Sequence, residues 1–466
     1  MSSADNRSSV PFLLVFFTLI ILVALTYIPT GFSLWGWSFN KVDLLSEVRR
    51  KPPSAAPRAA APVTRMVDSL KKKAASEVVA DKTHIKRDFM TYTGIIQYGD
   101  TGSEASGMVH FYQALHDLKT GKRKKVRIAY FGDSMIEGDL ITGTVRRLLQ
   151  NYFGGNGVGF VPVTSIVAGF RNTVVHTFSK DWEEYNFKDK EAGGRDLGLS
   201  GHAFYPEAGS WVRLAPVHRP HLDELHEITL FYGPAEEHPC RVSTGGATFE
   251  LDGSHRVNEL ELKADSAATA VRFQFDPTGP VDIYGFSLES DSGIFLDNYA
   301  FRGISGVELP RIPEQVTQGM QSVHPYDLIV LHYGPNVLFN PRITKFGWYE
   351  RPMKKTMAYL RSNFPNTSIL LVGTADKAAR VQGEYQTQPG VLTLLDLQHR
   401  LAEEYGCAFW NLFSAMGGAG SMVQWVEGDT VYANKDYTHL NFRGAERVGA
   451  LLYNSMIKDF ESERYK

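Results

Sequence analysis

Four short apolar runs constrain this chain more than any other feature. They are KVRIAYFGDS (125–134), DLIVLHYG (327–334), TSILLVGT (367–374) and CAFWNLF (407–413). Each is too short for a typical helix and too continuously apolar for a strand with one wet face. Runs of this kind suit strands buried on both sides, the environment of a parallel sheet. Helical patterns separate them. In 139–153, Leu140, Val145, Leu148, Leu149 and Tyr152 share a face, and VLTLLDLQHRLAEEY (391–405) and AERVGALLYNSMI (445–457) follow the later runs. A further helix is expected over 104–120, where Phe111, Leu115 and Leu118 lie four and three residues apart. Strands alternating with helices predict an α/β, three-layer αβα domain around a parallel sheet.

The stretch 166–294 breaks that alternation. It holds TVVHTF, WVRLAP, EITLFY, ATFELDG, ELELKA, AVRFQF and DIYGFSL, many of them set apart by turn residues. This is an all-β, sandwich-like signature. The expected organisation is therefore a discontinuous α/β domain, 96–165 plus 295–466, with a β domain inserted at 166–294.

The N-terminal part is of another kind. Val10 to Ile28 is a run of 19 residues without a charge. At about 1.5 Å per residue it matches the ~30 Å hydrocarbon core of a bilayer. No small-residue cleavage site follows it, so a single-pass anchor over 10–29, behind a tip of residues 1–9, is expected in place of a cleaved signal. Residues 30–95 read as a Pro/Ala-rich linker and polar spacer. Residues 41–90 carry 12 Lys/Arg against 6 Asp/Glu, whereas 91–466 carry 36 against 44. A basic stalk thus precedes an acidic body. The net charge of −2 leaves no excess to drive nucleic-acid binding. Cys240 and Cys407 are the only cysteines, too few for a disulfide scaffold or a multi-thiolate zinc site.

Ser134 closes the first strand and precedes a helix, at the carboxyl edge where clefts form in open α/β sheets. Alone, Gly-Asp-Ser is an ordinary turn. Asp436 and His439 in DYTHLNFRG give it meaning. Three residues apart, a carboxylate can hold imidazole Nδ1–H and leave Nε2 to take a serine proton. Asn336, in Gly334-Pro335-Asn336 after the second strand, is a donor suited to a developing oxyanion. RGISG (302–306) supplies glycines that let a backbone N–H approach the same oxygen.

These four blocks, in this order, resemble the SGNH (GDSL-type) hydrolase superfamily. The resemblance implies a flavodoxin-like fold with Ser134 as nucleophile, His439 as base and Asp436 orienting it. It implies an oxyanion hole of the Ser134 N–H, a glycine N–H and the Asn336 amide. Gly303 and Gly306 both stand in the glycine block, and the family alignment points to Gly306. FGDSMIEGD, LLQNYFGGNGVGF, DNYAFRGISG and ANKDYTHLNFRGA look like bacterial peptidoglycan and polysaccharide O-acetylesterases with an inserted β domain. Met135 departs from the usual GDSL block. The activity implied is ester hydrolysis on an acetylated glycan without metal or cofactor, in a body on the periplasmic side of a bacterial inner membrane. Related proteins are O-acetyltransferases working beside a membrane-bound acyltransferase, and an inert glycan-binding body is a third reading.

Other residues point less sharply. Asp133, His332, Tyr333 and Gly334 border the motifs and are candidate substrate contacts, although His332 and Tyr333 also suit a buried strand end. Lys377, Arg380 and Gln382 follow the third run and suit either glycan contact or a solvated loop. Trp182, Tyr185 and Trp211 suit sugar stacking or the core of the insert. The glycines of FGGNGVG follow a helix, not a strand, and read as a tight turn instead of a dinucleotide site.

Overall fold

A computed structural model describes residues 88–99, 107–189, 195–264 and 269–462, with the backbone of a small antiparallel pair, Ser33–Leu34 and Trp37–Ser38. The uncharged run 10–28 and most of the stalk lie outside the described residues. Among the described residues no helix is long and apolar enough to cross a membrane.

The α/β body is built in chain order from β1 (Ile95–Gln97), α1 (Val109–Lys119), β2 (Lys125–Gly132), α2 (Thr142–Phe153), β3 (Gly293–Ala300), α3 (Glu314–Val323), β4 (Leu328–His332), α4 (Gly347–Asn363), β5 (Ser368–Val372), α5 (Val391–Glu404), β6 (Ala408–Trp410), α6 (Leu412–Met416), α7 (Ser421–Glu427) and α8 (Phe442–Phe460). The sheet order is β3-β2-β4-β5-β6-β1. The first five strands run parallel, and β1 closes the far edge antiparallel to β6.

Side-chain alternation explains why the strand runs are apolar throughout. Val126, Ile128 and Tyr130 of β2 join one core with residues of α1, α2 and α8. Ala129 and Phe131 face the opposite core, with residues of α3, α4 and α5. α5 buries Leu392, Leu394, Leu395, Leu397 and Leu401 there. At roughly 2 kcal/mol per buried leucine this face does much to hold the layer, and Leu395→Ala should cost about 2–5 kcal/mol.

All seven strand runs named for the insert are strands, in two antiparallel sheets. One has the order Asn258–Lys263, Glu227–Tyr232, Ile283–Glu289, His202–Tyr205, Glu183–Asn186, with Gly159–Val161 also paired to Ile283–Glu289. The other has the order Ala247–Leu251, Cys240–Thr244, Val271–Pro277, Trp211–Ala215, Val175–Phe178. Their facing sides enclose Val212, Leu214, Ile228, Leu230, Phe273 and Phe275. The first sheet also packs on the body: Phe231 and Tyr284 share the core of Ile329 and Leu331. Pairing in the insert begins at Gly159, ahead of residue 166. The run 293–300, which the sequence reading leaves unnamed, is the edge strand β3. Cys240 and Cys407 are free and buried.

Candidate active site

The site lies at the carboxyl ends of β2 and β4. At Gly132 a Cβ would meet Ile136 at 2.8 Å and the His332 carbonyl at 3.0 Å, so a side chain there would crowd the turn that follows. Asp133 then caps its own turn: its Oδ1 accepts the Met135 N–H at 3.0 Å, and its carbonyl accepts the Ile136 N–H at 3.2 Å. Ser134 stands at the tip of this turn, half-buried. It does not run directly into a helix. A 3-10 turn, Glu137–Asp139, comes first and α2 begins at Thr142.

Ser134 Oγ lies 2.9 Å from His439 Nε2. His439 Nδ1 lies 2.6 Å from Asp436 Oδ2. Asp436 Oδ1 accepts the backbone N–H groups of Thr438 at 3.0 Å and His439 at 2.9 Å. Burial acts to raise the Asp436 pKa, but these N–H bonds and the imidazole outweigh it and hold the carboxyl below its ordinary range. The His439 and Asp436 side chains are 39% and 49% exposed, so the relay is open to a ligand from solvent.

The turn that presents Asp436 and His439 depends on Tyr437, which the sequence reading passes over. Its φ is 54°, a left-handed conformation costly for a tyrosine. Several contacts hold it there. Its ring stacks on Tyr385 at 3.7 Å, its hydroxyl donates to Glu427 at 2.5 Å, and its carbonyl accepts the Ala378 N–H at 3.1 Å. Tyr385 and Ala378 belong to a hairpin, Ala378–Val381 with Glu384–Thr387, turning on Gln382-Gly383. The Gln-Gly step flanked by AARV and EYQT is the signal that could have revealed it.

The oxyanion candidates differ among themselves. Gly306 has φ 92°, and a Cβ there would strike the Tyr333 ring at 2.7 Å, so only glycine fits. The backbone N–H groups of Ser134 and Gly306 meet no acceptor among the described residues. Gly303 also has positive φ, but a Cβ there would meet nothing within 4 Å. Asn336 Nδ2 donates to Asp133 Oδ2 at 3.0 Å and to the Ile304 carbonyl at 2.8 Å. Both its amide hydrogens are engaged, so one contact must open before it can serve an oxyanion.

The four candidate substrate contacts sit too deep for that part. Asp133, His332, Tyr333 and Gly334 are all buried, because β4 is an inner strand covered on both faces and its last residues stay beneath the surface. His332 Nδ1 meets Tyr130 Oη at 3.1 Å, and burial pushes its pKa down to about 4. Burial drives Asp133 the other way, to about 7, against the N–H of Met135. Lys377 Nζ is spent on the carbonyls of Pro335 and Leu338, at 3.1 and 3.0 Å, pinning the Asn336 loop. Arg380 lies over the Tyr385 ring at 5.2 Å. In the insert Trp182 packs edge-on against Phe275, Tyr185 packs against Tyr205, and Trp211 lies under Arg272.

No family model and no curated protein matches the sequence. Solved structures do. A peptidoglycan O-acetylesterase is similar with a TM-score of 0.64 and 22% identity, over 79% of this chain and 99% of that one. An acetyl xylan esterase (TM-score 0.27, 17% identity, 35% of this chain and 80% of that one) and a salicylyl-acyltransferase from a tetracycline biosynthetic pathway (0.30, 12%, 65% and 98%) are similar too weakly to add to the argument. The chain has the fold of that peptidoglycan O-acetylesterase over nearly the whole length of that protein.

Proposed function

We propose that this chain is a serine esterase that removes O-acetyl groups from a cell-envelope carbohydrate, peptidoglycan or exopolysaccharide. The observation that carries the reading is the unbroken relay of Ser134 Oγ, His439 and Asp436, at 2.9 and 2.6 Å. Ser134 Oγ attacks the acetyl carbonyl while its proton passes to His439 Nε2. Asp436 holds the imidazolium that forms. The Ser134 and Gly306 N–H groups receive the oxyanion, and Asn336 joins them by releasing the Ile304 carbonyl. Each such donor is worth roughly 3 kcal/mol in comparable sites. Collapse expels the sugar oxygen, which takes the proton from His439. Water then attacks the acetyl-Ser134 ester, with His439 again as base, and acetate leaves.

The uncharged run 10–28 anchors the chain in this reading, with the basic stalk carrying the body on the periplasmic face, where an acetylated envelope glycan lies. A reporter fused to the C-terminus and active only in the cytoplasm would refute that placement.

The catalytic reading is tested with the full chain in detergent. Release of acetate from O-acetylated peptidoglycan, and hydrolysis of 4-nitrophenyl acetate, should fall by roughly 10³-fold or more in Ser134→Ala. Equal rates in the two proteins would end the proposal.

A further inference from the structure

A cleft of about 230 Å³ opens between the Glu137–Asp139 turn, the residues after β3 and the insert. Neither Ser134 nor His439 lines it, yet it begins one turn beyond Ser134. Among the described residues, two buried polar atoms at its wall have no partner: Asn298 Oδ1 and Ser200 Oγ. Asn298 comes from the body and Ser200, 6% exposed, from the insert.

The orientation of Asn298 is fixed. Its Nδ2 donates to the Ile136 carbonyl at 2.8 Å, to Asp139 Oδ1 at 2.9 Å and to Thr142 Oγ1 at 2.9 Å. Its Oδ1 is therefore an acceptor that calls for an O–H or N–H from elsewhere. A buried polar atom left unpaired is unfavourable, and a ligand's donor would relieve it.

The other walls define that ligand. The rings of His202 and Phe301 pack on each other at 4.8 Å and 30°. Glu184 Oε1 meets His202 Nδ1 and Asn186 Nδ2, both at 2.9 Å, Arg302 pairs with Glu137 and Arg171 with Asp139, and the Lys188 Nζ lies over the Phe301 ring at 5.7 Å. The volume lies below the ~300–1,000 Å³ of sites for drug-sized ligands. The small volume and the two unpaired oxygens fit one ring that carries hydroxyl or amide donors.

We propose that this cleft is a subsite for the unesterified sugar adjoining the acetylated one, held by Asn298 Oδ1 and Ser200 Oγ. The assignment of the neighbouring sugar as the acetylated one rests on the esterase reading. The subsite would make the enzyme favour a glycan chain over a small ester, because a second ring adds binding that a lone ester lacks.

The test begins with full-length Ser134→Ala titrated calorimetrically with chitotetraose, which bears amides, and with cellotetraose, which bears only hydroxyls. Saturable binding of at least one is expected. Thr164→Trp, which fills the cleft mouth, and Ser200→Ala should each weaken it, Thr164→Trp by roughly tenfold or more. Binding of neither sugar, or binding indifferent to both substitutions, overturns the subsite. In the active protein the same two substitutions should raise KM for O-acetylated chitotetraose about tenfold more than for 4-nitrophenyl acetate; equal changes overturn it. The binding arm lacks the reactive serine and stands apart from catalysis. Substitution-sensitive sugar binding in a protein that hydrolyses neither ester would keep the sugar site and discard the esterase reading.

Discussion

His439 Nδ1 lies 2.6 Å from Asp436 Oδ2, and His324 Nε2 lies 2.9 Å from Asp297 Oδ2. The first pair is 39% and 49% exposed, the second 3% and 1%. Residue types and bond are alike, but the surroundings differ. Beyond the His439 ring stands a serine hydroxyl. Around the second pair Tyr326 donates to Asp297 at 2.6 Å, the Phe160 N–H donates to it at 2.8 Å, and Phe231 packs edge-on to His324. Glu289, 3.5 Å from His324, is gripped by Arg127 through two bonds of 2.8 Å. Burial acts to raise the Glu289 pKa, but Arg127 and His324 more than offset it and bring it down to about 2. Phe160 and Glu289 belong to the insert, so this sealed pair staples insert to body. What separates the two pairs is what the free nitrogen of the histidine meets and whether solvent reaches it.

The comparison breaks most visibly at the two histidines. His439→Ala should lower turnover of 4-nitrophenyl acetate by roughly 10³–10⁴-fold and leave the urea midpoint nearly unchanged. His324→Ala should do the reverse. It strands buried carboxylates, which costs about 3–5 kcal/mol, while kcat per folded molecule stays near that of the parent. Turnover and urea unfolding measured on both proteins decide it. A His324→Ala protein that is fully folded and inactive would erase the distinction.

Asp436 sharpens it. Asp436→Asn keeps the shape but withdraws the charge behind the imidazole, and a drop of about 10²–10⁴-fold in kcat is expected. Its effect on stability carries a sign. The carboxyl is held below its ordinary range, so its contribution is fully present above the unfolded pKa of about 4 and is lost as pH falls through the lowered value. The parent's advantage in unfolding free energy over Asp436→Asn should shrink as pH falls from about 4 through the lowered value. A difference that stays the same throughout that acid range would mean the carboxyl is not held below its ordinary range.

The motifs were legible because they lie where local rules act. Strand ends, a Gly-Asp-Ser turn and an Asp-x-x-His turn are short-range patterns, and Ser134, Asp436 and His439 could be named from them. The β3 run GIFLDNYA was missed because its partner β2 lies 168 residues earlier in register, Gly293 opposite Lys125, and the insert's strand signals run up to its start. The depth of His332 and Tyr333 was hidden for a related reason. A residue at the end of an apolar run is exposed or buried according to which strand is central, and strand order is a property of the whole sheet. Tyr437 carries no mark of its left-handed backbone, which is imposed by a hairpin some 50 residues away. Asn336 shows the same limit: the sequence places the amide, but only its neighbours decide where its hydrogens go.

Asp133 offers the finest test, since it is as sealed as Asp297 but has no cation bonded to it. Its carboxylate is fully buried and, among the described residues, is hydrogen-bonded by the Met135 N–H and the Asn336 amide, with His439 and Lys377 acting on it through their charge alone. Nearby Asp139, equally buried, is bonded by Arg146 and Arg171 and held far below the ordinary range, whereas burial raises Asp133 to about 7. Between pH 4 and 7 the folded protein holds a proton here that the unfolded chain has released. Stability should therefore fall as pH rises through that window, by at most about 1.4 kcal/mol per pH unit for one proton. Asp133→Asn cannot titrate. It also loses the acceptor for Asn336, but an amide does not titrate, so that penalty is an offset nearly independent of pH and leaves the slope readable. Urea unfolding of both proteins at pH 5, 6, 7 and 8 should show the parent's advantage shrinking towards pH 7 and then levelling. A difference that stays flat from pH 5 to 7 would mean that Asp133 is already ionised beside Asn336, its two N–H bonds offsetting its burial.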